Sequence, residues 1–230
     1  MKILIFIPSF NDQKELAKII TELFDLNDTY TIYVVDDGSI PPIYLNLDKA
    51  FLFRIPFNAG IGAAMSIALH ISKSNNFDFM VRVDADGQHP TQNVKKILDK
   101  MILENDDLCI GQRLNNESLD TFRDILGTLV KKHINFLSNL ITGNQINDWS
   151  TGFFAMNRFA IKEISQFDYA RYPEVELFLN AHHLGLKIST FNIQQYNRIQ
   201  GFSSITFAQS LRLIIRFYLL LVRQILRKII

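Results

Sequence analysis

The sequence predicts an α/β fold in which a mostly parallel sheet is covered by helices on both faces. Its short apolar runs are near-continuous rather than alternating, as in strands buried on both sides. The same runs alternate along the chain with stretches of helical period, the pattern of a sheet built from β-α-β units. Size and composition agree. A chain of 230 residues, 48% hydrophobic and 20% charged with a mean hydropathy of +0.08, suits one ordinary domain and excludes both a disordered chain and a polytopic membrane protein.

Lys2–Pro8 is the first apolar run, and Asn11-Asp12 stand where they can cap an amphipathic helix carrying Leu16, Ile19, Ile20, Leu23 and Phe24. Tyr30–Val35 is a β-branched, apolar second strand, broken by Asp36-Asp37-Gly38-Ser39 and a Pro41-Pro42 turn; Phe51–Pro56 follows as a third. Gly60–Ile71 has the small, apolar periodicity of a helix packed closely on a sheet. Phe77–Val83 is a fourth strand ending in Asp84-Ala85-Asp86-Gly87, Pro90–Leu103 a helix with proline near its start, and Asp107–Gly111 a fifth strand. Then the pattern changes: a helix around Ile125–Ile141, a loop rich in Asn, Ser, Thr and Gly, a short apolar segment Phe153–Met156, a helix near Pro173–Gly185 and a strand Lys187–Gln195. With no repeat or linker, residues 1–206 read as one domain and 207–230 as an appended basic amphipathic helix.

The single cysteine, Cys109, lies in an apolar run and cannot close an internal disulfide, which favours an inert buried thiol and a reducing compartment. Ile3–Ile7 is too short for a secretory segment, and the longest tail run, Phe217–Val222, is far below the roughly 18 residues of a spanning helix. The net charge of +1 sums unlike parts: residues 201–230 hold five bases and no acid, leaving −4 on the first 200. At about 100° per residue Arg212, Arg216, Arg223 and Arg227 form one stripe, with Lys228 off it and apolar residues on the other faces. Such a helix either lies in a membrane interface with its bases on anionic headgroups, or packs on the body or on a second subunit of a homo-oligomer. The acidic body argues against nucleic-acid binding. The expected setting is cytoplasmic and peripheral, at the inner face of a membrane.

In open α/β sheets ligands sit outside the carboxyl ends of the strands, so the polar residues after each apolar run are where function is sought. Pro8-Ser9-Phe10-Asn11-Asp12, Asp36-Asp37-Gly38-Ser39 and Asp84-Ala85-Asp86-Gly87-Gln88 occupy those positions. Residues i and i+2 of an extended chain point the same way, which brings the carboxylates of Asp84 and Asp86 together. Their repulsion is relieved by a proton or by a hard dication such as Mg²⁺ or Mn²⁺ completed by a substrate diphosphate. A D-x-D turn bent by Gly87 is the plainer explanation of that motif alone; its occurrence with Asp36-Asp37 at two strand ends favours a site.

These segments resemble the inverting nucleotide-sugar glycosyltransferases of the second sequence family, of GT-A fold, and within them the branch that includes dolichol-phosphate mannose synthase. Ile5–Phe10 with Asn11 is similar to the family's opening segment, with Asp12 where Glu is usual. Val34–Ser39 resembles its base- and ribose-binding turn, Asn58–Ala64 the segment along the nucleotide, and Asp84–Gln88 the metal motif with its accompanying glutamine. Ile110-Gly111-Gln112-Arg113 is similar to IGSR, Asp148–Phe153 to DxxSGF with Thr151 replacing Ser, and Arg198–Ser203 to RxxGxS, while Glu174-Val175-Glu176 fits the acidic pair heading the next helix.

The resemblance implies Asp86 as a metal ligand, Asp84 touching ribose or metal, and Gln88 assisting, with Mg²⁺ or Mn²⁺ as cofactor. It implies a UDP-, GDP- or dTDP-sugar donor held by Pro8, Asp12, Asp36, Asp37, Asn58, Gly60, Asp84 and Ala85. A hydroxyl acceptor needs a carboxylate base, Glu176 or else Glu174; a lipid phosphate needs none, only cations. Arg113, Arg123 and Arg198 match the branch's phosphate-binding arginines, Arg113 and Arg198 being counted with the catalytic set, and Ser150, Thr151, Gly152 and Ser203 match the acceptor site. Glycines 60 and 62 serve close approach to a ligand or tight helix packing. Trp149 stacks on a sugar or base, or anchors the core. His70, His89, His133 and the pair His182-His183 show no metal spacing and read as structural. Three functions follow: transfer to a polyprenyl phosphate or lipid-linked acceptor, transfer to a saccharide hydroxyl in surface-polysaccharide synthesis, or an inactive nucleotide-sugar-binding scaffold at a membrane.

Overall fold

A computed structural model describes residues 1–45, 50–113, 122–169, 173–194 and 214–223, with backbone alone over 122–126. In chain order the elements are β1 (Ile3–Ser9), α1 (Gln13–Leu26), β2 (Thr31–Asp36), β3 (Ala50–Arg54), α2 (Ile61–Ser74), β4 (Phe79–Arg82), α3 (Gln92–Glu104) and β5 (Leu108–Arg113). They continue with α4 (Phe122–Thr142), β6 (Phe154–Asn157), α5 (Arg158–Ile164), α6 (Pro173–His183) and β7 (Ile188–Ile193). The strands form one sheet of order β3-β2-β1-β4-β6-β5-β7, parallel except for β6.

The apolar runs are buried on both faces, as their composition requires. Leu4 and Phe6 of β1 join one apolar cluster with Met65, Phe154 and Phe178, while Ile3, Ile5 and Ile7 join another with Leu16, Ile20 and Ile97. The period of two thus sends alternate side chains to two separate cores. Burying each such side chain is worth about 1.5–3 kcal/mol. Cys109 lies in the second core, where burial pushes its thiol up to about 11, so it is inert at neutral pH.

Local readings needed correction at three places. Asn11-Asp12 do not cap α1: Asp12 makes no side-chain cap bond, and the Asn11 carboxamide accepts the Ile40 N–H instead, at 2.9 Å. β3 is the edge strand, with Phe51, Leu52 and Phe53 exposed and Phe51 stacked on Tyr33, so its apolar run is not a buried one. The segment Phe153–Met156 becomes β6, inserted antiparallel between β4 and β5, and a short helix, α5, follows it unanticipated.

Antiparallel β6 positions the site. Phe154, at its start, pairs with Arg82, at the end of β4, and with Ile110 of β5. The loop leading into β6 therefore lies at the same sheet edge as the carboxyl ends of β4 and β5.

Residues 214–223 are helical. Phe217 and Leu221 are buried in the cluster that holds Trp149 and Phe178, and Tyr218 Oη lies 2.8 Å from His133 Nε2 of α4. The remainder of 207–230 lies outside the described residues. Among the described residues no helix is long and apolar enough to cross a membrane.

Candidate active site

The loops after β1 and β2 are tied into one ledge. Asn11 N–H donates to Ser39 Oγ at 2.9 Å, and Asp37 N–H to the Ser9 carbonyl at 2.9 Å. Asp36 is fully buried; its Oδ1 accepts the Ser39 N–H and its Oδ2 an Arg54 Nη1–H, both at 2.8 Å. Asp37 accepts the N–H groups of Ala59 and Gly60, each at 2.8 Å, and so fixes the Asn58-Ala59-Gly60 segment at the start of α2. Gly38, at φ +79°, is obligatory: a Cβ there would lie 2.6 Å from the Phe57 carbonyl carbon. Both aspartates expected to hold a nucleoside therefore first build the turn. Each carboxylate oxygen has a second lone pair, so engagement with the backbone does not exhaust its accepting capacity. Pro8 lies partly buried at the end of β1, while Asp12 and Asn58 are exposed beside this ledge.

At the end of β4 stands a residue the sequence reading passed over. Arg82 is 2% exposed and holds two carboxylates, Glu174 Oε1 at 2.6 Å and Asp84 Oδ1 at 3.0 Å. An arginine inside an apolar strand is itself a signal, because a buried cation requires an acidic partner. His89, read as structural, also joins the site: its Nε2 lies 3.7 Å from Asp84 Oδ2, and its ring stacks on Phe153. Burial by itself would raise the Asp84 carboxyl, but the Arg82 guanidinium and His89 overcome that and hold it well below the usual carboxylate range. Burial likewise opposes the charge on Arg82, and Asp84 and Glu174 more than restore it.

Beyond this pair Asp86 accepts the Gln88 N–H at 3.1 Å. Asp84, Asp86 and the Gln88 carboxamide offer oxygen donors on one loop, and among the described residues no group of three or more His, Cys, Asp or Glu forms a closed metal cage. Such a set fits a hard dication that takes one or two carboxylates and leaves its other positions to substrate. Asp84 is engaged by Arg82 and His89, and Asp86 by the Gln88 N–H.

The loop before β6 packs directly on Asp84. A Cβ on Gly152 would lie 2.2 Å from Asp84 Oδ2 and 2.6 Å from Oδ1, so only glycine fits. Thr151 is buried, its Oγ1 accepting the Phe153 N–H at 3.2 Å. Arg113 grips Asp148 with two nitrogens, Nε to Oδ2 and Nη2 to Oδ1 at 2.8 Å, and Ser150 Oγ donates to the same carboxylate at 3.0 Å. Burial raises the Asp148 carboxyl and the Arg113 guanidinium more than reverses this, leaving it lowered. Arg113 and Ser150 thus brace the loop, and a phosphate would compete with a carboxylate already held bidentately. Trp149 is a core anchor: fully buried, it donates Nε1–H to Asn139 Oδ1 at 2.8 Å and meets Phe178 edge-on.

Glu176 is 3% exposed at the first turn of α6, and its partners come from the C-terminal helix: Arg216 Nη2 lies 3.5 Å from Oε2 and Arg223 Nη1 3.4 Å from Oε1. Of the settings expected for the basic stripe, packing on the body is the one these two arginines show. Arg216 and Arg223 turn toward the body, whereas Ile215, Leu219 and Val222 face outward, as do Leu129, Phe136 and Leu140 of α4. The stripe's other members, Arg212 and Arg227, lie outside the described residues, as do Arg198, Ser203 and the side chain of Arg123.

With this geometry in place, comparison with known proteins is informative. Residues 4–165 match the model of Glycosyl transferase family 2, and the chain belongs to that family. It is 24% identical over 183 residues to the UDP-N-acetylglucosamine–dolichyl-phosphate N-acetylglucosaminyltransferase of Methanococcus voltae, covering 71% of this chain and 72% of that protein. It is 25% identical over 169 residues to the polyprenol monophosphomannose synthase of Mycolicibacterium smegmatis, covering 70% and 63%. Among solved structures, glucosyl-3-phosphoglycerate synthase of Mycobacterium tuberculosis, in complex with Mn²⁺, UDP-glucose and phosphoglyceric acid, superposes with a TM-score of 0.68. That match has 18% identity and covers 93% of this chain and 77% of that one. The fold is the expected GT-A fold, and the protein is a glycosyltransferase.

Proposed function

We propose that this member of glycosyl transferase family 2 moves a sugar from a nucleoside-diphosphate sugar to a polyprenyl phosphate, with inversion at the anomeric carbon and with Mg²⁺ or Mn²⁺. The observation that carries the choice of acceptor is the state of Glu176. A hydroxyl acceptor requires a carboxylate able to take its proton, but Glu176 is buried between two arginines and Glu174 is spent on Arg82 at 2.6 Å. A carboxylate already accepting from guanidinium N–H groups has fewer lone pairs to offer a substrate hydroxyl. A phosphate oxygen is already an anion and attacks without losing a proton. Both relatives named above are transferases to polyprenyl phosphates, which supports the same reading.

In this reading the ledge of Asp36, Asp37 and Asn58–Gly60 receives the nucleoside, and Asp86, with Asp84 and Gln88, holds the metal. A dication held there would supply Lewis-acid stabilisation of the leaving diphosphate. Arg82 and His89 keep the Asp84 carboxylate ionised and fixed, Gly152 lets the backbone approach it, and the Arg113–Asp148 brace sets that loop in place. The acceptor oxygen bonds to the anomeric carbon as the bond to the diphosphate breaks, and the nucleoside diphosphate departs with the electron pair. The outward apolar residues of α4 and the C-terminal helix, rather than the arginine stripe, would meet the inner face of a membrane.

Glu176→Gln tests the acceptor. A general base is worth about 10²–10⁴ in rate, so retention of kcat within about tenfold on a polyprenyl phosphate is expected. Loss of kcat by about a hundredfold or more on that acceptor would give Glu176 a catalytic role that a phosphate nucleophile does not need, and would overturn this reading.

A further inference from the structure

The arginines around the site are of two kinds. Arg82 and Arg113 are closed pairs, each bonded to carboxylates through two nitrogens: Arg82 at 2.6 and 3.0 Å, Arg113 through Nε and, at 2.8 Å, through Nη2. Arg216 and Arg223 are not: each approaches Glu176 through one nitrogen, at 3.5 and 3.4 Å, beyond the ~2.7–2.9 Å of a charge-assisted bond. Their side chains are 34% and 49% exposed, against 3% for the carboxylate between them. Arg216 Nε is buried with no hydrogen-bond partner among the described residues. The anion thus sits inside and the cations outside it, and the three side chains together carry an excess of one positive charge. A guanidinium has five N–H donors in a planar fork suited to phosphate, and these two are oriented without being saturated.

The helix that carries them is docked for the purpose. Phe217 and Leu221 anchor it in the core shared with Trp149, Tyr218 meets His133, and the one-face spacing of 216 and 223 brings both guanidiniums to the same carboxylate. Glu176 and Glu174 share the first turn of α6, and Glu174 is linked through Arg82 to Asp84. The loose arginines therefore stand on a carboxylate within one helical turn of the residue that reaches Asp84 through Arg82.

We propose that Arg216 and Arg223 bind the phosphate of the lipid acceptor, with Glu176 a positioning residue that holds the two guanidiniums apart and aimed. The C-terminal helix is then part of the active site. This rests on the polyprenyl-phosphate reading above.

The test uses the full chain, a short-chain polyprenyl phosphate in neutral detergent micelles, and the single and double variants R216Q and R223Q. Glutamine keeps an N–H for Glu176, and the pair R216K/R223K keeps the charge should the neutral variants unfold. The double glutamine variant should raise the acceptor KM about tenfold or more while the donor KM stays within about twofold, and the lysine pair should recover part of the loss. Glu176→Gln should raise the acceptor KM with little change in kcat, a split that a lost base would reverse. An unchanged acceptor KM in the double variant, or a donor KM rising in step with it, overturns the inference. So does a result in which the variants lose affinity only for anionic vesicles free of polyprenyl phosphate, since the arginines would then serve bilayer headgroups. An unsubstituted protein that transfers to no polyprenyl phosphate overturns the functional reading and this inference together; an active one with an indifferent double variant overturns this inference alone.

Discussion

Gly152→Ala is the sharpest probe of the site, because it adds one methyl group at a place where both neighbours are fixed. The new Cβ would stand 2.2 Å from Asp84 Oδ2 and 2.6 Å from Oδ1, where ordinary contact begins near 3.4 Å. Relief requires a displacement of about 1 Å, and the carboxylate cannot supply it cheaply: Arg82 holds it at 3.0 Å, and Arg82 is in turn held by Glu174 at 2.6 Å. Overpacking of this kind costs about 1–3 kcal/mol, and a displacement of about 1 Å at a reacting centre costs about a hundredfold in rate. Glycosyl transfer and thermal unfolding measured together should show a modest loss of stability and a loss of turnover near a hundredfold. Gly127→Ala is the control: in α4, with nothing within 4 Å of its added Cβ, it should stabilise by about 0.5–1 kcal/mol through helix propensity alone. If Gly152→Ala turned over at the wild-type rate, Asp84 would not be a fixed part of the site.

Three further outcomes follow from the same contacts. Arg82→Met leaves Asp84 and Glu174 facing each other without their buried cation and should cost about 3–5 kcal/mol in denaturant unfolding, with Arg82→Met/Glu174→Gln losing less than the sum of the single changes. Asp84 and Asp148 are both lowered in the fold from an ordinary 3.8, so the stability they lend is present above that value and is lost as pH falls through their folded values. Melting temperature should therefore be nearly level from about pH 7 to 5 and drop below about pH 4, with Asp148→Asn flattening the drop; greater stability at pH 3 than at pH 6 would contradict both pairings. Leu219→Ser/Val222→Ser removes outward apolar surface without touching Arg216 or Arg223, and should weaken flotation with vesicles while leaving transfer in micelles intact; unchanged flotation would refute the apolar contact.

The acidic turns were legible because strand ends, glycine turns and i, i+2 carboxylates are local features. Arg82 was less so, although a charge inside Phe77–Val83 announces a buried partner. That partner, Glu174, is 92 residues away, and no local pattern reveals it. His89 directly follows Gln88, yet only the packing of Phe153 against its ring and of Asp84 against its Nε2 separates it from an ordinary structural histidine.

The tail shows the same division most clearly. Periodicity alone predicts that Arg212, Arg216, Arg223 and Arg227 share one face of a helix. It does not say toward what that face is turned, because an exposed stripe over a bilayer and an ion pair with a buried glutamate have the same spacing. The sequence by itself determined most of the strands, the alternating helices and the turns at their ends, all of which depend on neighbours within a few turns of chain. Tertiary structure alone decided that β6 runs backward between β4 and β5, that its entry loop closes on Asp84, and that Arg216 and Arg223 meet Glu176. Each of these is a contact between residues distant in sequence, fixed by how two cores pack on one sheet.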